Sequence, residues 1–129
     1  MSDDELIAAF ESTDLPPEQF SHAAHVRVAW WYLRHTSLPE ALCRFSEGLR
    51  RFAAAKGAAN KYHETIAVAY MLVIADRVGA APELPWIEFV AANPDLFSRQ
   101  PPVLARYYSD SLLASDRARR TFVMPDRHP

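Results

Sequence analysis

The fold class is indicated most clearly by one stretch of the chain, LPEALCRFSEGLRRF at residues 38–52. Its large apolar residues recur at intervals of four, three, four and three, which is the spacing of one face of an α-helix. They are Leu38, Leu42, Phe45, Leu49 and Phe52. Pro39 suits the first turn of a helix and Gly57 suits its end. The stretch therefore predicts an amphipathic helix that begins near Pro39, buries this stripe and is ended by Gly57.

Three more long helices are predicted around this one from their capping residues and apolar spacing. In each case a short polar side chain that favours the N-cap position precedes a run with helical periodicity. The predicted helices cover residues 3–12, 22–35 and 61–78, and their predicted N-caps are Ser2, Ser21 and Asn60, respectively. Gly79 is expected to stop the last of them.

Beyond Gly79 the prolines divide the chain into shorter segments. The expected pieces are a helix through about residue 92, a turn at Pro94, a helix from 102 to 108, two short helices capped by Ser109 or Asp110 and by Ser115, and an extended tail over 124–129. The chain has three glycines and no Asn-Gly or Asp-Gly hairpin signal, which leaves little room for antiparallel sheet. We therefore expect an all-α, single-domain helical bundle over residues 1–129, with about four longer helices and shorter C-terminal ones.

Charge and hydropathy exclude several classes of function. The formal net charge of −2 produces no field that would attract nucleic acid. No apolar run approaches the roughly 18 residues of a membrane span, and the N-terminus is acidic rather than signal-like. The sequence predicts a cytoplasmic protein with no nucleic-acid or membrane partner. The single cysteine, Cys43, excludes an intrachain disulfide and is expected to be a small buried hydrophobe.

Three histidines form the candidate site. His22 and His25 lie in the first turn of the second helix, three residues apart and thus on one helical face. His63 lies at the start of the fourth helix. Short connections make neighbouring helices antiparallel, so the second and fourth helices should run in the same direction. We therefore expect His22, His25 and His63 at one end of the bundle.

Two kinds of ligand suit such a site. Three imidazoles can bind a late first-row ion such as zinc, iron or nickel, which makes His22, His25 and His63 the predicted metal ligands. The partial positive charge of helix N-termini keeps the histidines neutral and also favours an anionic small molecule.

If the site is catalytic, His63 and Glu64 are the expected acid–base pair. Tyr62 and Arg27 are the expected contacts to the bound species. The residues leave open whether the protein is an enzyme.

Several motifs resemble those of a family of small bacterial helical proteins of uncharacterised function. The two more distinctive ones are FSHAAHVRVAW at residues 20–30, of the form F-x-H-x-x-H-V-x-x-A-W, and YHET at residues 62–65. The others are YYS at 107–109, SDRAR at 115–119 and PD at 125–126. The resemblance implies a recurring histidine-centred site and supplies no substrate.

Two functions are thus predicted. The first is a small helical protein whose histidine site binds a metal ion or an anionic small molecule, with metal-dependent catalysis as one form of it. The second is a non-enzymatic interaction module, a homodimer whose aromatic residues form the interface and whose histidines are structural.

Overall fold

The computed structural model describes residues 1–128 and confirms the all-α prediction, with 69% of the chain helical. The α-helices are α1 Asp3–Glu11, α2 His22–His35, α3 Leu38–Ala55, α4 Glu64–Ala80, α5 Trp86–Ala92, α6 Asp110–Leu113 and α7 Asp116–Arg120. Single 3-10 turns lie at Pro17–Gln19, Ala59–Lys61, Pro94–Phe97 and Val103–Arg106. None of the helices in residues 1–128 combines the length and the apolar content needed to cross a membrane.

Serine side chains cap most of the helices, as their positions predict. Ser2 accepts a hydrogen bond from the Glu5 N–H, and the Glu5 carboxylate accepts one from the Ser2 N–H in return, which is a complete capping box. Ser21 accepts the Ala24 N–H at 3.2 Å at the start of α2. Each cap satisfies an N–H group that has no partner within its own helix.

The start and end of α4 differ from the prediction. Asn60 lies in the 3-10 turn Ala59–Lys61 and does not cap the helix. The N-cap is His63, whose ring Nδ1 accepts the Ile66 N–H at 3.1 Å. Histidine is not a preferred capping residue, so the sequence pattern does not predict this role. Gly79 does not stop α4 either, because its backbone stays helical and the helix continues to Ala80.

The apolar stripe of α3 is buried in its middle and exposed at its start. Phe45 and Phe52 are buried, whereas Leu38 at the first position of the helix keeps 40% of its surface exposed. Cys43 is exposed rather than buried, since it falls off the stripe by about one helical step of 100°. Between the two phenylalanines, Gly48 lets α1 approach closely: a Cβ there would lie 2.5 Å from Cε2 of Phe10.

The longer helices form the bundle and the C-terminal segments cover α4. α2 packs against both α3 and α4, which brings the starts of α2 and α4 to the same side of the molecule. At the covered face of α4, the buried Thr65 hydroxyl donates to the Thr121 carbonyl at 2.8 Å and accepts the Val123 N–H at 3.1 Å. The tail predicted to be extended contains no helix up to His128, and Pro129 lies outside the described residues.

Candidate functional site

All three predicted histidines line one cleft. The cleft has a volume of about 600 Å³ and lies between the start of α2, the second half of α3 and the first half of α4. His22 and His25 contribute from α2, and His63 contributes from the cap of α4. The helix directions predicted the three residues at one end of the bundle, and in the structure they line the same cavity there.

The register of the two helices nevertheless keeps His63 apart from the other two. The ring of His22 lies edge-on to the ring of Tyr70, with centroids 5.4 Å apart. Tyr70 is seven residues after His63, which is about 10 Å along the axis of α4. Within residues 1–128 no group of three His, Cys, Asp or Glu side chains is placed to hold a metal ion. The structure therefore brings the three histidines to one cleft but not around one point.

His63 uses both of its ring nitrogens within the fold. Its Nδ1 accepts the Ile66 N–H, so Nε2 carries the proton and donates to the Leu113 carbonyl at 2.7 Å. The side chain is buried, with 9% of its surface exposed. In this arrangement the ring has no free lone pair, which a metal ligand or a general base would need.

His25 has the opposite arrangement. Its Nδ1 donates to the Ser21 carbonyl at 2.8 Å, which leaves the lone pair of Nε2 free. The ring stacks on Phe20 with the centroids 3.7 Å apart. Burial lowers the pKa of His25, and the Arg99 charge acts in the same direction, whereas the hydrogen bond to the Ser21 carbonyl opposes them. His25 is thus neutral at pH 7, as expected for a histidine in this position, and can accept a hydrogen bond or a proton.

His22 resembles His25 in leaving one nitrogen free. Its Nε2 donates to the Leu96 carbonyl at 2.8 Å, a contact between the start of α2 and the 3-10 turn Pro94–Phe97. The lone pair of Nδ1 has no partner within residues 1–128. The start of α2 therefore offers two imidazole lone pairs. In each ring the other nitrogen donates to a backbone carbonyl, which fixes the orientation of the ring.

Tyr62 and Glu64 pair with each other rather than with His63. The Tyr62 hydroxyl donates to the Glu64 carboxylate, which also accepts from Arg50 at 3.0 Å. The guanidinium of Arg50 lies over the Tyr62 ring, 4.9 Å from its centroid. Burial and the adjacent carboxylate raise the pKa of Tyr62. Tyr62 lines the cleft, whereas Glu64 does not, so the expected acid–base pair of His63 and Glu64 does not share the cavity.

Arg27 lies away from the cleft. Its guanidinium binds the Asp3 carboxylate, with an Nη2–Oδ1 distance of 2.6 Å. It lines a separate, smaller groove next to Trp86. Residues two apart on a helix diverge by about 200°, so Arg27 cannot face the same cavity as His25.

The sequence did not single out the cations of the cleft. Lys56 and Lys61, the only lysines of the chain, both line it, and Arg99 reaches it from the loop after α5. None of the three has an ion-pair partner in residues 1–128, and no Asp or Glu lines the cavity. The two lysines could have been identified as candidate site residues, because both shortly precede His63 in the sequence. No local pattern predicts Arg99.

No protein-family model matches the chain, and comparisons with curated proteins and with solved structures find no match. The resemblance drawn from the histidine motifs therefore stays a prediction.

Proposed function

We propose that the cleft binds a small organic anion with an apolar body. The observation that carries the proposal is the charge of the lining: Lys56, Lys61 and Arg99 face the cavity without a carboxylate partner. Lys61 and Arg99 are exposed and Lys56 is half-buried, so the three cations lie at the rim of the cleft. A group of cations with no counter-charge beside an apolar cavity attracts an anionic ligand to it.

The remaining walls suit an apolar body. Phenylalanines from two segments line the cleft, together with aliphatic residues of α3 and α4: Phe20, Phe45, Phe52, Leu49, Ile66 and Ile74. The volume of about 600 Å³ lies within the range of small-molecule sites, which are mostly apolar with a few polar groups that orient the ligand. Arg99, His25 and Tyr70 are the polar groups we assign to one anionic end, because all three line the cleft around the start of α2 and the middle of α4.

A metal site has weaker support than the anion site. Both nitrogens of His63 are occupied by hydrogen bonds, and the neighbouring charge of Arg99 opposes a cation beside His25. The predicted metal site of His22, His25 and His63 therefore stays a prediction, as does the metal-dependent reaction that would follow from it.

The homodimer alternative also remains a prediction. It relied on exposed aromatic residues, but Trp30 is 2% exposed and packs against Trp86 at 5.2 Å between ring centroids. A molar mass that rises with protein concentration in light scattering would support a homodimer, formed through surfaces outside the cleft.

The proposal is tested by titrating the protein with decanoate and with 1-decanol while recording amide chemical shifts. Decanoate should shift residues at the start of α2 and near His63, and it should bind at least tenfold more tightly than the neutral alcohol. Arg99→Gln should weaken decanoate binding, whereas Arg120→Gln, at an exposed arginine of α7, should not. Equal binding of acid and alcohol, or shifts that avoid the cleft, would contradict the proposal.

A further inference from the structure

The cations of the cleft fall into two groups. Arg99 lines the cleft three residues after Leu96, whose carbonyl accepts from His22 beside Tyr70, in the middle of α4. Lys56 is the C-cap of α3, and Lys61 ends the 3-10 turn two residues before His63, the N-cap of α4. Because the connection between α3 and α4 is short, both lysines lie at the His63 end of the cleft. His63 and Tyr70 are seven residues apart, so the two groups are separated by about 10 Å along α4.

An apolar floor joins the two groups. The ring of His25 stacks on Phe20 at 3.7 Å, and Phe20 meets Phe52 edge-on at 4.7 Å between centroids. The Lys56 ammonium lies over the far side of this row, 5.4 Å from the centroid of Phe52. Two aromatic rings therefore separate the imidazole at one end from the ammonium at the other. On the opposite side, Ile66 lines the same stretch from α4.

A compact anion would satisfy only one of these groups. A compact anion bound at Arg99 would leave Lys56 and Lys61 without a counter-charge. It would also have no apolar part to pack against Phe20 and Phe52. A monoanion with an alkyl chain would cover the floor but leave one cationic group unpaired. A linear molecule with an anion at each end and an apolar middle satisfies both groups and buries its chain against the rings.

We infer that the cleft is a site for an elongated dianion, a dicarboxylate whose two charges are separated by an alkyl chain about 10 Å long. This separation corresponds to about eight carbons, since each C–C bond is about 1.5 Å long and the chain zigzags. One carboxylate pairs with Arg99 and the other with Lys56 and Lys61. The inference rests on the proposed function and names its ligand class.

Calorimetric titration with decanedioate, decanoate and butanedioate tests the inference on the full chain. Decanedioate should bind at least tenfold more tightly than decanoate, and butanedioate should bind more weakly than either. Arg99→Gln and the double variant Lys56→Gln/Lys61→Gln should each reduce the affinity for decanedioate to about that of decanoate. Arg120→Gln is the matched control and should leave all three affinities unchanged, with circular dichroism verifying that every variant is folded.

Different outcomes would contradict the dianion inference and the proposed anion site. Equal affinities for decanedioate and decanoate would overturn the dianion while leaving the anion site intact. Butanedioate binding as tightly as decanedioate would also overturn it, because both charges would then lie at one group of cations. Failure of both decanoate and decanedioate to bind would contradict the proposed function itself.

Discussion

The starts of α2 and α4 differ in what their histidines do, although both open into the same cleft. At α2 the hydroxyl of Ser21 accepts the N–H of Ala24, so this N–H group needs no acceptor from His22 or His25. At α4 no serine or threonine precedes the helix, and the imidazole of His63 accepts the N–H of Ile66 instead. One helix start therefore leaves free ring nitrogens, and the other uses them.

This difference shows that the capping residue decides whether a histidine at a helix start is available for chemistry. A helix leaves its first N–H groups without partners, and whichever acceptor lies nearest satisfies one of them. A histidine that fills this role is bound to one tautomer and loses its lone pair. His63 therefore uses its ring nitrogens in the fold, and the proposed anion site relies on His25 and the nearby cations.

The largest effect is expected from removing the cap of α4. His63→Ala should lower the free energy of unfolding by about 2 to 3 kcal/mol, because it removes the cap and leaves the Leu113 carbonyl without its donor. Ser21→Ala at the start of α2 removes only a cap and should cost about 1 kcal/mol. Urea unfolding curves of the two variants measure the difference.

A second variant separates the two contributions at His63. Asparagine is a good N-cap, so His63→Asn should recover about 1 kcal/mol of the loss without restoring the bond to Leu113. If His63→Ala costs no more than Ser21→Ala, the structural role assigned to His63 is incorrect.

The next effect concerns the pH dependence of binding at His25. The pKa of His25 is lowered by burial in the free protein, and an anion bound beside it should raise that pKa again. Binding then takes up a proton, so the affinity for decanoate should increase as the pH falls below about 7, by at most tenfold per unit. The increase should level off once the pH passes below the pKa of the free protein.

His25→Gln is the control for this dependence, and titrations between pH 7.5 and about 5.5 keep the carboxylate of decanoate ionised. The substitution should flatten the profile. An unchanged slope in the variant would show that His25 does not face the bound anion.

The smallest effect is expected from added metal. If zinc or nickel binds to His22 and His25, the binding should be weak, and dialysis should remove the ion, since two imidazoles leave most of a coordination sphere to water. His22→Ala should abolish this binding, and His63→Asn should leave it unchanged. Stoichiometric metal that survives dialysis and depends on all three histidines, measured by plasma mass spectrometry, would bring back the three-histidine metal site.

Much of the helical framework could be predicted because its signals are local. The serines at positions 2, 21, 109 and 115 cap helices as expected, since a cap bonds an N–H only a few residues away. The failures also have local causes. The pattern predicts Asn60 as the cap of α4 because asparagine is a common capping residue. It also predicts a stop at Gly79, although the packing there requires no glycine and the helix continues to Ala80.

The candidate site was only partly predictable. Helix directions placed His22, His25 and His63 at one cleft, because antiparallel packing through short connections fixes the direction of every second helix. Directions do not fix the register. The side-chain contacts between α2 and α4 set the offset that places His22 beside Tyr70 rather than beside His63.

The sequence by itself determined the fold class, the extents of α1, α2 and α3, and the position of three histidines at one end of the bundle, since these follow from spacing, capping and connection length. Only the tertiary structure decided which imidazoles are free and which cations reach the cavity. Those properties depend on contacts such as His63 with Leu113, 50 residues away, and His22 with Leu96, 74 residues away. Hydrogen bonds between residues so distant in the chain leave no periodic trace, because they form only once the helices have packed in one register.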